Sequence, residues 1–273
     1  ASSSLRRRAL LFRRGKPCGR LVGPGAGAFG VSGRAWRTPS VRRLGIVTEA
    51  VILSEGWGVL HLFWRVTAVS DREAIVSAVK AAQADEHQVV SFVVLGHKAD
   101  LGVMALGPDL WRLHRLQADL IAGGLDLTAS YLSLTEVSEY ARGMPAERLE
   151  PRLHPRLPPE GKRLLCFYPM SKRRDAVGNW YTLPYEEREQ LMYGHGRKGR
   201  EFAGRVLQLV TGSTGLDDWE WAVTLFADDP VAIKQCVHEL RFDTASAVYA
   251  EFGPFLVGLL APIDEALRRV GLA

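Results

Sequence analysis

The sequence predicts an α+β protein in which two ferredoxin-like halves of one chain close into a dimeric α+β barrel. Three observations predict it. From about Gly45, strand-like and helix-like patterns alternate in the order strand–helix–strand–strand–helix–strand, and that order then occurs a second time. The repeat is visible in letters, since a strand, a turn and a strand lead to "GPDLW" in one half and to "DDPVA" in the other. Each unit has one apolar sheet face to bury, and two units side by side bury it with helices outside and a pocket inside.

Taken in order, "WGVLHLFWRV" is a strand, and "DREAIVSAVKAAQAD" carries Ala, Ile and Val at helical spacing. "VVSFVVLG" and "LGVMALG" are strands with "HKAD" as their turn. "PDLWRLHRLQADLIAGG" is a helix with Pro108 at a tolerated early position and Gly123 and Gly124 at its end. "ASYLSLTEV" is the fourth strand, and the Pro- and Arg-rich "MPAERLEPRLHPRLPPEG" is a linker or lid. The second half has the strand "RLLCFYPMSK" and the helix "PYEEREQLMYGHGRKGREF", with Pro184 first and Glu186 and Glu187 in the opening turn. "RVLQLVTGS" and "WEWAVTLFA" form a hairpin, "DPVAIKQCVHELRF" a helix, and "PFLVGLLA" closes the set. The expected organisation is a basic extension over 1–44, one half over 45–150 and a second half over 151–273.

Charge is placed unevenly. Residues 1–43 hold 11 of the 35 Arg and Lys, whereas all 30 acids come later, so the remainder carries 24 bases against 30 acids, a net −6. An acidic folded part disfavours a nucleic-acid surface. The basic, Gly- and Ser-rich start predicts disorder, either as an extension without a role or as an organellar transit peptide. No apolar run approaches the roughly 20 residues of a membrane span. Cys18, Cys166 and Cys236 are far apart and lack metal spacing, so no disulfide framework is expected.

Chemistry concentrates in the second half. His195 follows Leu191 by four residues and precedes Phe202 by seven, which places it on the helix stripe facing the sheet. Gly194, Gly196 and Gly199 leave space beside that imidazole for a bulky planar group, and neutral imidazole is a common iron ligand. A hydrogen-bonded core histidine is the competing reading. Period-2 alternation puts Tyr168, Met170 and Lys172 on one strand face, with Phe167 and Ser171 on the other. A phenol, a thioether and an ammonium would then face one ligand, and a buried Lys calls for an anionic partner such as a carboxylate. Pro169 leaves open an edge strand whose Lys points to solvent. Gln208 interrupts the row Val206, Val210, and Arg241, four residues after Val237, is a second carboxylate clamp.

The blocks "CFYPMSKRR…NWYTLP", "HGRKGREFAGRVLQLVTGSTGLDDWEWAVTLFADDP" and "ELRFDTASAVYAEFGPFLVG" resemble the chlorite dismutase-like heme proteins, above all their coproheme decarboxylase branch. The resemblance is dense from Arg163 to Gly258, thinner from Gly56 to Tyr140 and absent before Gly45. It implies a homopentamer with the porphyrin in the C-terminal half, working in the cytoplasm beside coproporphyrin ferrochelatase. It implies His195 as the iron ligand, Tyr168 as the radical residue and Lys172 as a propionate holder. Arg241, Arg152 and Tyr131 fit further propionate contacts, and Met170 lies in the same motif. Gln208 stands where chlorite-degrading relatives carry a distal arginine. "LHLF" lacks the acid that relatives place after the histidine, and His154 stands where they more often have Tyr. The implied reaction is hydrogen-peroxide-dependent conversion of Fe-coproporphyrin III (coproheme) to heme b through a monovinyl intermediate. A heme carrier without catalysis, or a chlorite dismutase or peroxidase on the same fold, is the alternative.

Overall fold

The structure, a computed structural model, describes residues 49–85, 87–141 and 143–273. The expected basic extension lies outside these residues. The first half runs β1 (Gly58–Arg65), α1 (Arg72–Ala84), β2 (Gln88–Val94), β3 (Leu101–Gly107), α2 (Leu110–Ala122) and β4 (Asp126–Thr135). Pro108 lies outside α2, whose N-cap is Asp109; its carboxylate accepts from the Trp111 amide at 2.9 Å. The connection is more than a linker, because it folds into α3 (Ala146–Leu153).

The second half follows with β5 (Leu164–Lys172), α4 (Tyr185–Arg200), β6 (Val206–Gly212), β7 (Trp221–Ala227) and α5 (Pro230–Arg241). A short α6 (Thr244–Ala247), β8 (Ala250–Phe252), β9 (Leu256–Leu260) and α7 (Ile263–Arg269) complete it. Sequence periodicity did not reveal α6, β8 or α7, each too short to show a full amphipathic pattern.

Strand pairing ties the two halves together. Within the halves the orders are β4–β1–β3–β2 and β9–β5–β7–β6, the same arrangement twice. Antiparallel seams join β2 to β9 and β4 to β6, so eight strands form a closed ring with β8 beside β5. Closure satisfies the backbone groups that an open sheet would leave at its edges.

The barrel interior is packed, which corrects the expectation of a pocket there. Val59, Phe63, Phe92, Met104, Leu165, Phe167 and Phe226 fill it as one buried cluster. His61 is fully buried among them, its Nε2 3.0 Å from Thr224 Oγ1 and its ring 4.5 Å from that of Phe167. On the outer face of the first half, Ile75, Val79, Leu116 and Leu120 of α1 and α2 cover Leu60, Leu62 and Trp64, and α7 adds Ile263 and Leu267. Fully burying such a side chain is worth about 1.5–3 kcal/mol. No helix among the described residues is long and apolar enough to cross a membrane.

Candidate active site

The site begins with β5. Leu164, Cys166 and Tyr168 point outward into the cluster under α5, while Leu165 and Phe167 point into the barrel. The strand is not an edge, for β7 flanks it on one side and β9, then β8, on the other. Pro169 is tolerated because it falls where β9 pairing stops at Phe167 and β8 pairing starts at Met170. Its carbonyl still accepts from Gly253 N at 2.8 Å.

Opposite this face lies α4. Glu186 and Glu187 in its first turn and Arg197, Lys198 and Arg200 in its last suit the helix dipole. None of its residues is buried, and His195 faces the sheet across open space. The reason is a cavity of about 2170 Å³ between α4, the outer face of the sheet and the segment 136–157. The ligand space thus lies outside the barrel wall and beneath a helix.

Tyr168, Met170, Lys172, His195, Gln208, Arg241 and Arg152 all line this cavity. The imidazole of His195 is held at Nδ1, 2.8 Å from Asp243 Oδ2. Burial keeps the His195 pKa below the usual histidine value, against the opposing pull of Asp243. The neutral form is the one that binds a metal, and Asp243 fixes which nitrogen remains available. Gly196 and Gly199 line the same wall, and a Cβ at Gly196 would meet only Arg200 Nη1, at 3.6 Å. Among the described residues no three metal-binding side chains converge. A single imidazole beside open space suits an iron whose other ligands come from a macrocycle, so the residues fit a metalloporphyrin.

Tyr168 is buried, its ring stacked on Phe255 at 4.4 Å and tilted against Phe252 at 5.9 Å. Desolvation pushes its phenol well above the ordinary tyrosine range, so it stays protonated. Lys172 is also buried, its Nζ donating to the Ala245 carbonyl at 2.9 Å and lying 4.0 Å from the Trp180 ring centroid. Burial lowers its pKa to about 8, opposed by the charges of Asp243 and Glu220. The Arg241 guanidinium lies 3.5 Å from the centroid of the Phe252 ring. Gln208 donates from Nε2 to Gly199 O at 3.3 Å, while Val206 is buried and Val210 exposed. Arg152 sits exposed in the last turn of α3.

Tyr131 is the exception. Alternation along β4 turns it into the barrel, where its hydroxyl meets Ser213 Oγ and donates to Trp219 O at 3.0 Å. It does not line the cavity, and desolvation pushes its pKa to about 12. Sequence reasoning also missed Asp243 and Trp180. Asp243 follows Phe242, the C-cap of α5, and is the N-cap residue of α6; an Asp between a helix end and "TASA" was the available signal.

The chlorite dismutase family profile matches residues 65–261. The chain is 39% identical to the coproheme decarboxylase of Staphylococcus saprophyticus over 236 residues, 77% of this chain and 94% of that protein. It is 40% identical to the coproheme decarboxylase of Thermus thermophilus over 243 residues, 81% of this chain and 96% of that protein. A solved structure described as a novel heme-binding protein from Thermus thermophilus superposes with a TM-score of 0.71 at 39% identity, covering 82% of this chain and 98% of that one. The chain belongs to the chlorite dismutase family, on its coproheme decarboxylase branch.

Proposed function

We propose that this protein converts coproheme III to heme b by peroxide-dependent oxidative decarboxylation of two propionates, through a monovinyl intermediate. The observation that carries the reading is that one cavity presents both His195, oriented by Asp243, and the buried phenol of Tyr168. Each cleavage removes a β-hydrogen, carbon dioxide and two electrons, leaving a vinyl group. One peroxide takes up those electrons with two protons and becomes two waters. Bound at His195, the iron porphyrin supplies the centre where peroxide is reduced.

The protein's own residues do the rest. Tyr168 holds its proton in the resting state and, once oxidised by loss of an electron and that proton, accepts the β-hydrogen of a neighbouring propionate. Lys172, Arg241 and Arg152 supply positive charge for the carboxylates, and Met170 adds apolar wall. Lys172 already spends one N–H on Ala245 O, which leaves two for a carboxylate. Gln208 gives the distal side a neutral amide and not the cation expected for chlorite chemistry. The reading includes a homopentamer, transient contact with coproporphyrin ferrochelatase and a cytoplasmic setting.

Anaerobic loading with coproheme, then peroxide titration with mass analysis of the porphyrin, tests the reaction. Loss of one and then two carboxyl groups per porphyrin is expected. Heme-free degradation products alone would refute the decarboxylase reading. A carrier would bind through His195 and be indifferent to Tyr168.

A further inference from the structure

The cavity wall holds a cation that the site described above does not use. Arg188 lies on α4 seven residues before His195, so the two project from nearly the same helix face. Seven residues rise about 10.5 Å along the axis. That is comparable with the distance from a porphyrin's metal to the carboxylates on its rim. Arg188 lines the cavity and its side chain is only 19% exposed. Its Nε is buried without a hydrogen-bond partner. Its nearest acid is Glu139, with Nη2 3.8 Å from Oε2, too long for a hydrogen bond. Glu139 belongs to a 3-10 turn, Glu139–Ala141, in the segment bordering the cavity. The Tyr185 hydroxyl donates to its carbonyl at 3.3 Å.

We propose that Arg188 is a further carboxylate anchor for the substrate, and that Glu139 competes with the substrate for it. An arginine left mostly desolvated, with an idle Nε, is poorly satisfied by a carboxylate at 3.8 Å and a Tyr185 ring centroid 5.8 Å away. A porphyrin carboxylate arriving at the cavity rim would offer the bidentate geometry that a guanidinium favours. Glu139 then serves as a placeholder that keeps the cation balanced while the cavity is free of substrate. A neutral porphyrin would gain nothing from the exchange.

The inference rests on the porphyrin reading, and binding of metal-free porphyrins separates the two. Quenching of the protein's tryptophan fluorescence would be measured with coproporphyrin III and with its tetramethyl ester, neither of which carries iron for His195. Arg188→Gln should weaken coproporphyrin binding about ten-fold or more, the size of one charge-assisted contact, and leave ester binding unchanged. Arg188→Lys should recover part of the loss. Glu139→Gln should tighten coproporphyrin binding, since it removes the competitor. Equal weakening toward acid and ester would mark Arg188 as merely structural and overturn the anchor. Weaker coproporphyrin binding by Glu139→Gln would overturn the competition. Wild-type protein that bound neither these porphyrins nor coproheme would refute the porphyrin reading itself, whereas normal wild-type binding with an unaltered Arg188→Gln would refute only this inference.

Discussion

The two halves have the same strand order and opposite uses for it. In the first, α1 lies on the sheet and buries Ile75, Val76, Ala78 and Val79. In the second, the corresponding α4 buries none of its residues, and the space beneath it is the cavity. The difference is written in side chains. Alanine, isoleucine and valine at helical spacing fill the first interface, while Gly196, Gly199 and His195 hold the second open. A duplicated unit can keep one copy as core and spend the other on binding, because closing the ring ties the stability of both together.

The largest expected effect lies on the open side. Tyr168→Phe should leave the fold and porphyrin binding intact yet abolish heme b formation, with peroxide bleaching the porphyrin instead. Mass analysis of peroxide-treated, coproheme-loaded protein checks it, and wild-type conversion would remove Tyr168 from the chemistry. On the packed side, Ile75→Ala should cost about 2–5 kcal/mol in a denaturant melt, with porphyrin affinity unchanged in the folded fraction. Met192→Ala on α4, half-buried at the cavity, should cost under about 1 kcal/mol and alter porphyrin affinity. Similar stability losses at both positions would erase the contrast between the halves.

His61 of β1 lies in the barrel interior, where it meets Thr224 and Phe167 of the second half, and burial lowers its pKa to about 3. The unfolded chain, with an ordinary histidine value near 6.5, binds the proton first on acidification. The stability from keeping this ring neutral is therefore complete above about pH 6.5 and is lost progressively as pH falls toward 3. The loss is on the order of 3 kcal/mol at pH 4. Urea melts at pH 7 and pH 4 should show a smaller difference for His61→Leu than for wild type. The smallest effect is at Gly196, where an added Cβ meets nothing closer than 3.6 Å. Gly196→Ala should stabilise the unliganded protein by about 0.5–1 kcal/mol through helix propensity and weaken porphyrin binding. Differential melts with and without porphyrin would show both signs.

What the sequence made legible was local. Alternation within "FYPMSK" put Tyr168, Met170 and Lys172 together, and helical spacing turned His195 toward them, because both periodicities are properties of a few consecutive residues. The role of each residue came from family resemblance. The site's position beneath α4 was not legible, since it depends on which strand faces pack against which helices, and that follows from seams between residues far apart in the chain. Tyr131 shows the same gap. Its strand was clear, yet nothing in "SYLS" said that its odd-numbered residues turn inward. Asp243 was hidden by its 48-residue separation from His195.

The two seams of the ring are unequal and short, with three residue pairs between β2 and β9 and two between β4 and β6. The shorter one, Leu134–Gly212 and Thr135–Thr211, leads directly into Glu136, a cavity residue whose carboxylate accepts from the Trp221 indole at 3.2 Å. Few backbone rungs at one point lower the cost of local opening there. Amide protons of this seam should exchange with deuterium sooner than those of the long β1–β4 pairing beside it. Occupancy of the cavity should slow them. The barrel's shortest seam thus runs straight into the wall of the cavity, so its rungs should sense whether the cavity is filled.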